Sequence, residues 1–126
     1  MPTPEQIRAA VDAYVDAYRR NDRQAAIDCF RPDAVWHDPV GQPPHVGHEG
    51  IGEFWDQTRQ LASSIELRPT SVYVCGDEAA MVFDILTTVG DTKLTMQAVE
   101  TFRVDDDGLI TLARAYWDPA EMRPVA

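Results

Sequence analysis

The sequence predicts an α+β fold in which helices from the first half of the chain pack on one face of a curved antiparallel sheet. Three observations lead there. Apolar residues fall at helical spacing in the first half. Long runs rich in β-branched and aromatic residues fill the second half. The connections between those runs are too short for anything but antiparallel neighbours. A chain of 126 residues is expected to form one domain, 1–126, with a radius of gyration of about 14 Å. That leaves room for one core and one buried pocket.

The elements follow in order. Thr3-Pro4-Glu5-Gln6 has the marks of a helix start, with Thr as N-cap, Pro at the first helical position and Gln reaching back. After it Ile7, Ala10, Val11, Tyr14, Val15 and Tyr18 form one apolar stripe. Asn21-Asp22 ends this helix and caps a short second one that carries Ala26, Ile27 and Phe30 inward, before Arg31-Pro32-Asp33 breaks it. Residues 34–38 read as a short strand closed by Pro39. A Pro/Gly loop follows, then a third helix from about His48 to Ala62 with Ile51, Phe54, Trp55, Thr58 and Leu61 on one side. Strands are predicted at about 65–75, 79–89, 92–104 and 109–117, separated by Gly76-Asp77, Gly90-Asp91 and Asp105-Asp106-Asp107-Gly108.

Composition narrows the function. Eleven basic against 21 acidic residues give a formal charge of −10, which repels phosphate backbones and anionic lipid. Neither nucleic acid nor membrane is therefore an expected partner. No apolar run approaches the ~20 residues of a membrane span, and Met1-Pro2-Thr3-Pro4-Glu5 lacks the basic and apolar regions of a signal peptide, so a cytoplasmic location is expected. Cys29 and Cys75 have no metal-like spacing and read as buried, reduced thiols. His37, His45 and His48 lie close in sequence, but a Pro/Gly loop does not fix ligand geometry, and no metal site is expected. The acidic turn at 105–108 lacks the alternating ligands and distal glutamate of a calcium loop. Phosphate-binding loops, nucleophile elbows and Cys/His pairs are missing from the sequence.

Three residues could carry chemistry. Along 94–104 one strand face reads Leu94, Met96, Ala98, Glu100, Phe102, Val104, so Glu100 stands on an apolar face. Burial there raises a carboxyl pKa and favours the neutral acid, a hydrogen-bond donor. Pairing with Arg114 on the next strand, or exposure through curling of the sheet, are the competing readings. Asp38 shares a face with Ala34 and Trp36 and brings in a second carboxylate, although Asp-Pro also starts turns. Tyr14 lies mid-stripe, either as an apolar body or with its hydroxyl aimed into a cavity. Two carboxyls in unlike environments can divide base and acid roles. A tyrosine hydroxyl beside the neutral one completes a pair of donors for an oxyanion.

In these residues the chain resembles the bacterial Δ5-3-ketosteroid isomerases of the nuclear-transport-factor-like, SnoaL-like superfamily. The resemblance runs over nearly the whole length. It is carried by T-P-E with Tyr14 after it, Asn21-Asp22, Asp33 through Gly41, Gly50 through Trp55, Val99 through Arg103 and Ala113 through Trp117, in order and spacing. It implies a conical barrel of three N-terminal helices on a curved antiparallel sheet (the cystatin-like, ketosteroid-isomerase-like fold) and a homodimer through the outer sheet face, where Tyr73, Val99 and Tyr116 would leave apolar surface. This family is itself a known example of pKa tuning, and the roles below are its roles. Asp38 corresponds to the base that moves a proton from beside the ketone to the far end of the dienolate. Tyr14 and Glu100 correspond to the donors that hold the enolate oxygen. Neither cofactor nor metal is implied.

The implied activity is a steroid delta-isomerase acting on a small apolar steroid-like ketone. A non-catalytic apolar-ligand-binding module, or a cyclase- or dehydratase-like enzyme on the same fold, are the alternatives. Phe30, Phe54, Trp55, Met81, Phe83, Met96 and Trp117 are candidates to line the pocket, each with core packing as the competing reading. Two positions depart from the family pattern. Its second acid is normally aspartate, and the extra methylene of Glu100 moves the donor by up to ~1.5 Å, a displacement that can cost on the order of a hundredfold in rate. Trp55 stands where many members carry a tyrosine behind the catalytic one, and indole donates but does not accept.

Overall fold

The computed structural model describes residues 1–125. Its elements run α1 (Pro4–Arg19), α2 (Arg23–Asp28), β1 (Phe30–His37), β2 (His45–Val46), α3 (Gly47–Leu61), β3 (Ser64–Cys75), β4 (Glu78–Val89), β5 (Thr92–Val104), β6 (Ile110–Tyr116), a 3-10 turn (Pro119–Glu121) and β7 (Arg123–Pro124). The strands form one curved, unclosed sheet in the order β2-β1-β6-β5-β4-β3, with β7 paired to β5. Every pairing is antiparallel except β1 with β6, which is parallel. The helices cover its concave face, as expected from the order of the patterns. Among the described residues no helix is long and apolar enough to cross a membrane.

Local chemistry explains the first helix. The Gln6 N–H donates to Thr3 Oγ1 at 3.1 Å and the Thr3 N–H donates to Gln6 Oε1 at 2.8 Å, a reciprocal capping box. Ile7, Ala10, Val11, Tyr14, Ala17 and Tyr18 are buried. The turn into α2 places Asn21 at φ 52°, in the left-handed region that Asn tolerates. Asp22 then accepts from the Ala25 N–H at 3.0 Å. In β5 the alternation holds: Met96, Ala98, Glu100, Phe102 and Val104 are buried, while Gln97, Val99 and Arg103 are exposed.

Four expectations need correction. Strand β1 starts at Phe30, not at Ala34, so Phe30 enters the core from a strand and Arg31-Pro32-Asp33 lies within it. A bulge between Phe30 and Val35 absorbs the proline there. Leu61 is 78% exposed, because α3 ends there and Ala62 is already extended. Cys75 is exposed, on the outward side of β3 with Tyr73, and Cys29 is half-buried, its thiol pushed up to about 11 mainly by burial. Arg114 does not pair with Glu100. Its Nε donates instead to the Tyr116 hydroxyl at 3.2 Å.

The core gathers on Tyr14. Its ring lies 5.1 Å from those of Tyr18 and Phe102 and 6.1 Å from those of Phe30 and Trp36, mostly edge to face. Phe102 has no solvent exposure, so Phe102→Ala should cost about 3–5 kcal/mol in a urea titration. Leu61→Ala should stay within about 0.5 kcal/mol of wild type in the same titration. A large loss at Leu61 would contradict its placement outside the core.

Candidate functional site

The sheet register sets out the site. Glu100 on β5 pairs with Ala115 on β6 and with Met81 on β4. On the other side of β6, His37 of β1 pairs with Arg114, and one residue further brings Asp38 level with Ala115. The two carboxyls thus stand one strand to either side of an alanine, their backbones ~10 Å apart. The small side chain at 115 leaves open the space between them. The Val40 N–H donates to the Ala115 carbonyl at 2.9 Å and holds the post-strand loop against β6.

That space is the inner end of a cavity of about 180 Å³ between the helices and the sheet. Tyr14, Asp38, Ala115 and Glu100 contribute to its lining, and Met122, exposed, marks its rim. Of the residues proposed from sequence to line a pocket, Phe54, Phe83, Met96 and Trp117 do so. Phe30, Trp55 and Met81 do not. Phe30 packs against Trp36 with centroids 5.4 Å apart, and Met81 is wholly enclosed. Trp55 lies 5.0 Å from the Tyr18 ring and carries the Arg59 guanidinium 3.7 Å above its own. These three are core because their faces meet other side chains before they reach open space. His48 Nε2 lies 2.7 Å from the Phe30 carbonyl, and His45 stacks on Phe54 at 4.0 Å.

The carboxyls occupy unlike surroundings. Glu100 is 1% exposed. Tyr14 donates its hydroxyl to both Glu100 oxygens at 3.1 Å each, and Trp36 Nε1 donates to Oε2 at 3.2 Å. Burial, then the nearby charge of Asp38, pushes the Glu100 pKa well above the carboxylate range, against the pull of the Tyr14 and Trp36 bonds. Asp38 is only partly buried and accepts from Trp117 Nε1 at 2.7 Å. Its carboxyl is pushed up to about 6 by burial, with the Trp117 bond opposing. The Tyr14 phenol is driven well above its usual range, first by burial and then by Glu100, so it stays a donor. Of the two carboxyls Asp38 is the more readily ionised, while the shifts at Glu100 and Tyr14 favour their neutral, hydrogen-bond-donating forms.

Two contributors escaped the sequence reading. Trp36 was visible only as an apolar residue on the inward face of β1. Tyr18, one helical turn beyond Tyr14, also lines the cavity. Burial and the charge of Asp38 raise the Tyr18 phenol far above its normal range. Its position at the end of the α1 stripe carried the signal, since it shares a face with Tyr14.

Comparison with known proteins places the chain in a family. The SnoaL-like domain model matches residues 11–113. The chain is 32% identical over 117 residues to a steroid Delta-isomerase of Nocardioides simplex, covering 93% of this chain and 94% of that one. A Δ5-3-ketosteroid isomerase structure from a Mycobacterium species superposes with a TM-score of 0.84 at 24% identity, over 95% of this chain and 98% of that one. An epoxide hydrolase/cyclase-like enzyme of pyran ring formation in salinomycin gives 0.90 at 19% identity, over 99% and 100%. At these identities the two structures speak for the fold alone. The chain belongs to the SnoaL-like domain family of the nuclear-transport-factor-like superfamily and is a relative of the steroid delta-isomerases.

Proposed function

We propose that the protein is a cofactor-free isomerase that moves a carbon–carbon double bond into conjugation with a steroid-like ketone. The observation that carries this reading is the pair of carboxyls that face one apolar cavity from unlike surroundings, with a phenol hydrogen-bonded to the more buried one. The relationship to the Nocardioides simplex isomerase supports it.

The chemistry follows from the placement. A ketone oxygen entering between Tyr14 and Glu100 takes the place of their mutual hydrogen bond and accepts from both. The Asp38 carboxylate removes a proton from the carbon between ketone and alkene, leaving a dienolate whose oxygen carries the new charge. Two fixed donors in a water-poor pocket stabilise that charge without reorganising. Asp38 then delivers the proton to the far end of the dienolate. The substrate regains the proton it lost, so the reaction calls for no external reagent. A carboxyl titrating at about 6 is ionised at pH 7 and basic enough to take the proton and give it back. The cavity of about 180 Å³ is smaller than the ~300–1,000 Å³ common for ligand sites. It suits the ketone-bearing end of the substrate, with the remainder extending past Met122. The exposed Tyr73, Val99 and Tyr116 on the outer sheet face support a homodimer through that face.

Ultraviolet absorbance of the conjugated product tests the activity. Wild type should convert a Δ5-3-ketosteroid, and Asp38→Asn should lower kcat about a hundredfold or more. The kcat/KM profile should fall on the acid side with an apparent pKa of about 6, since protonated Asp38 accepts nothing. It should fall again at higher pH, where Glu100, its pKa raised by burial, loses its proton. Folded wild type without turnover would contradict the proposal.

The raised pKa of Asp38 also predicts a stability effect with a fixed sign. The native state holds this proton up to about pH 6, the unfolded chain only to about pH 3.9. The contribution of Asp38 to stability therefore declines as pH rises through that window. Asp38→Asn removes this contribution and leaves that of Glu100. The variant should be more stable than wild type at pH 8 by up to about 3 kcal/mol, with the advantage gone at pH 3.5. Equal urea midpoints at pH 8 would count against a desolvated Asp38.

A further inference from the structure

We infer that Trp36 is a positioning residue that decides which oxygen of Glu100 carries the proton, and so aims the acid at the substrate. The inference rests on the reading of Glu100 as a proton donor. Glu100 presents two chemically equivalent oxygens, and as a neutral acid it must place its hydrogen on one of them. Tyr14 does not choose, because its hydroxyl is 3.1 Å from each and can turn. Trp36 does choose. Indole N–H is a donor only, and it lies 3.2 Å from Oε2. The carbonyl oxygen of a neutral acid is a much stronger acceptor than its hydroxyl oxygen. The indole N–H therefore selects Oε2 as the carbonyl oxygen and leaves the proton to Oε1.

The surroundings make this a fixed choice. Trp36 is 1% exposed, and its ring meets those of Phe54 at 5.1 Å, Phe30 at 5.4 Å and Tyr14 at 6.1 Å, so the indole cannot swing away without unpacking three neighbours. In the register Trp36 pairs with Ala113 of β6, which pairs in turn with Phe102 of β5. An alanine at 113 leaves the room an indole needs to pass over β6 toward Glu100, two residues from Phe102. The same bond bears on the longer acid. A glutamic side chain has one more torsion than aspartic, and a fixed N–H on Oε2 removes the rotation that the extra methylene would otherwise allow. When a ketone draws Tyr14 away, Trp36 still holds Oε2, and Oε1–H remains free to donate.

An isosteric replacement tests this without disturbing packing. Benzothienylalanine at position 36 keeps the bicyclic shape and replaces N–H by sulfur, and Trp36→Phe provides a genetically encoded counterpart. Infrared difference spectra against Glu100→Gln identify the carbonyl stretch of the neutral acid in the ligand-free protein. Loss of the hydrogen bond to the carbonyl oxygen should move that band to higher frequency in both variants. In the isomerase assay kcat should fall roughly five- to tenfold with KM essentially unchanged. A band that does not move when the N–H is removed overturns the inference. So does an unchanged kcat in an active enzyme. If wild type does not turn over the ketosteroid, the functional reading fails on its own, and the band still decides whether Trp36 fixes the proton of Glu100.

Discussion

A carboxyl group shut away from water, with no cation bonded to it among the described residues, is far cheaper to keep neutral than ionised. Glu100 is in that condition. Its side chain points from β5 into the closed side of the sheet, and its hydrogen-bond partners are a phenol and an indole rather than an arginine. Both donors favour the ionised form, yet burial outweighs them. Asp38 adds to the effect, since two nearby carboxylates resist simultaneous ionisation. Asp38 ionises first because it is the more exposed. The rest of the site is arranged around this buried acid.

The fold supplies this asymmetry through a few residue choices. Alternation along β5 turns Glu100 inward between Ala98 and Phe102. The parallel pairing of β1 with β6 brings Asp38 to the same level two strands away. Ala113 and Ala115 keep the intervening strand low, so that an indole crosses in one row and the cavity opens in the next. Helix α1 closes the other side with Tyr14, its ring fixed by Phe30, Trp36 and Phe102. Few backbone-level features are therefore specific to the chemistry. The site is made by side-chain size and polarity on an ordinary helix-over-sheet frame.

Much of this was legible in the sequence because periodicity is a local signal. The α1 stripe and the β5 alternation turn Tyr14 and Glu100 toward the interior, and the capping box and turn glycines mark the element ends to within a residue or two. What stayed hidden depends on contacts between distant segments. The bulge that lets β1 begin at Phe30 and pair in parallel with β6 leaves no periodic trace. Inward-facing residues divide into core and cavity wall only when their opposite neighbours are known. Phe30, Trp55 and Met81 thus looked the same as Phe83 and Met96. Trp36 looked like packing because its N–H acquires a role only when Glu100 is across from it. The departure at Glu100 is readable in the sequence; its hydrogen bond to an indole is not.

The central claim is that Glu100 remains protonated while Asp38 titrates beneath it. The most direct measurement is a pH titration of the side-chain carboxyl carbons by NMR in protein labelled with carbon-13, with Glu100→Gln and Asp38→Asn used to assign the two signals. The Asp38 signal should move with a midpoint of about 6. That of Glu100 should hold the chemical shift of a neutral acid from acid pH through neutrality. A Glu100 signal that moves to the carboxylate position alongside the exposed glutamates would contradict the account, because the site would then hold two anions and no second acid for the proposed isomerisation.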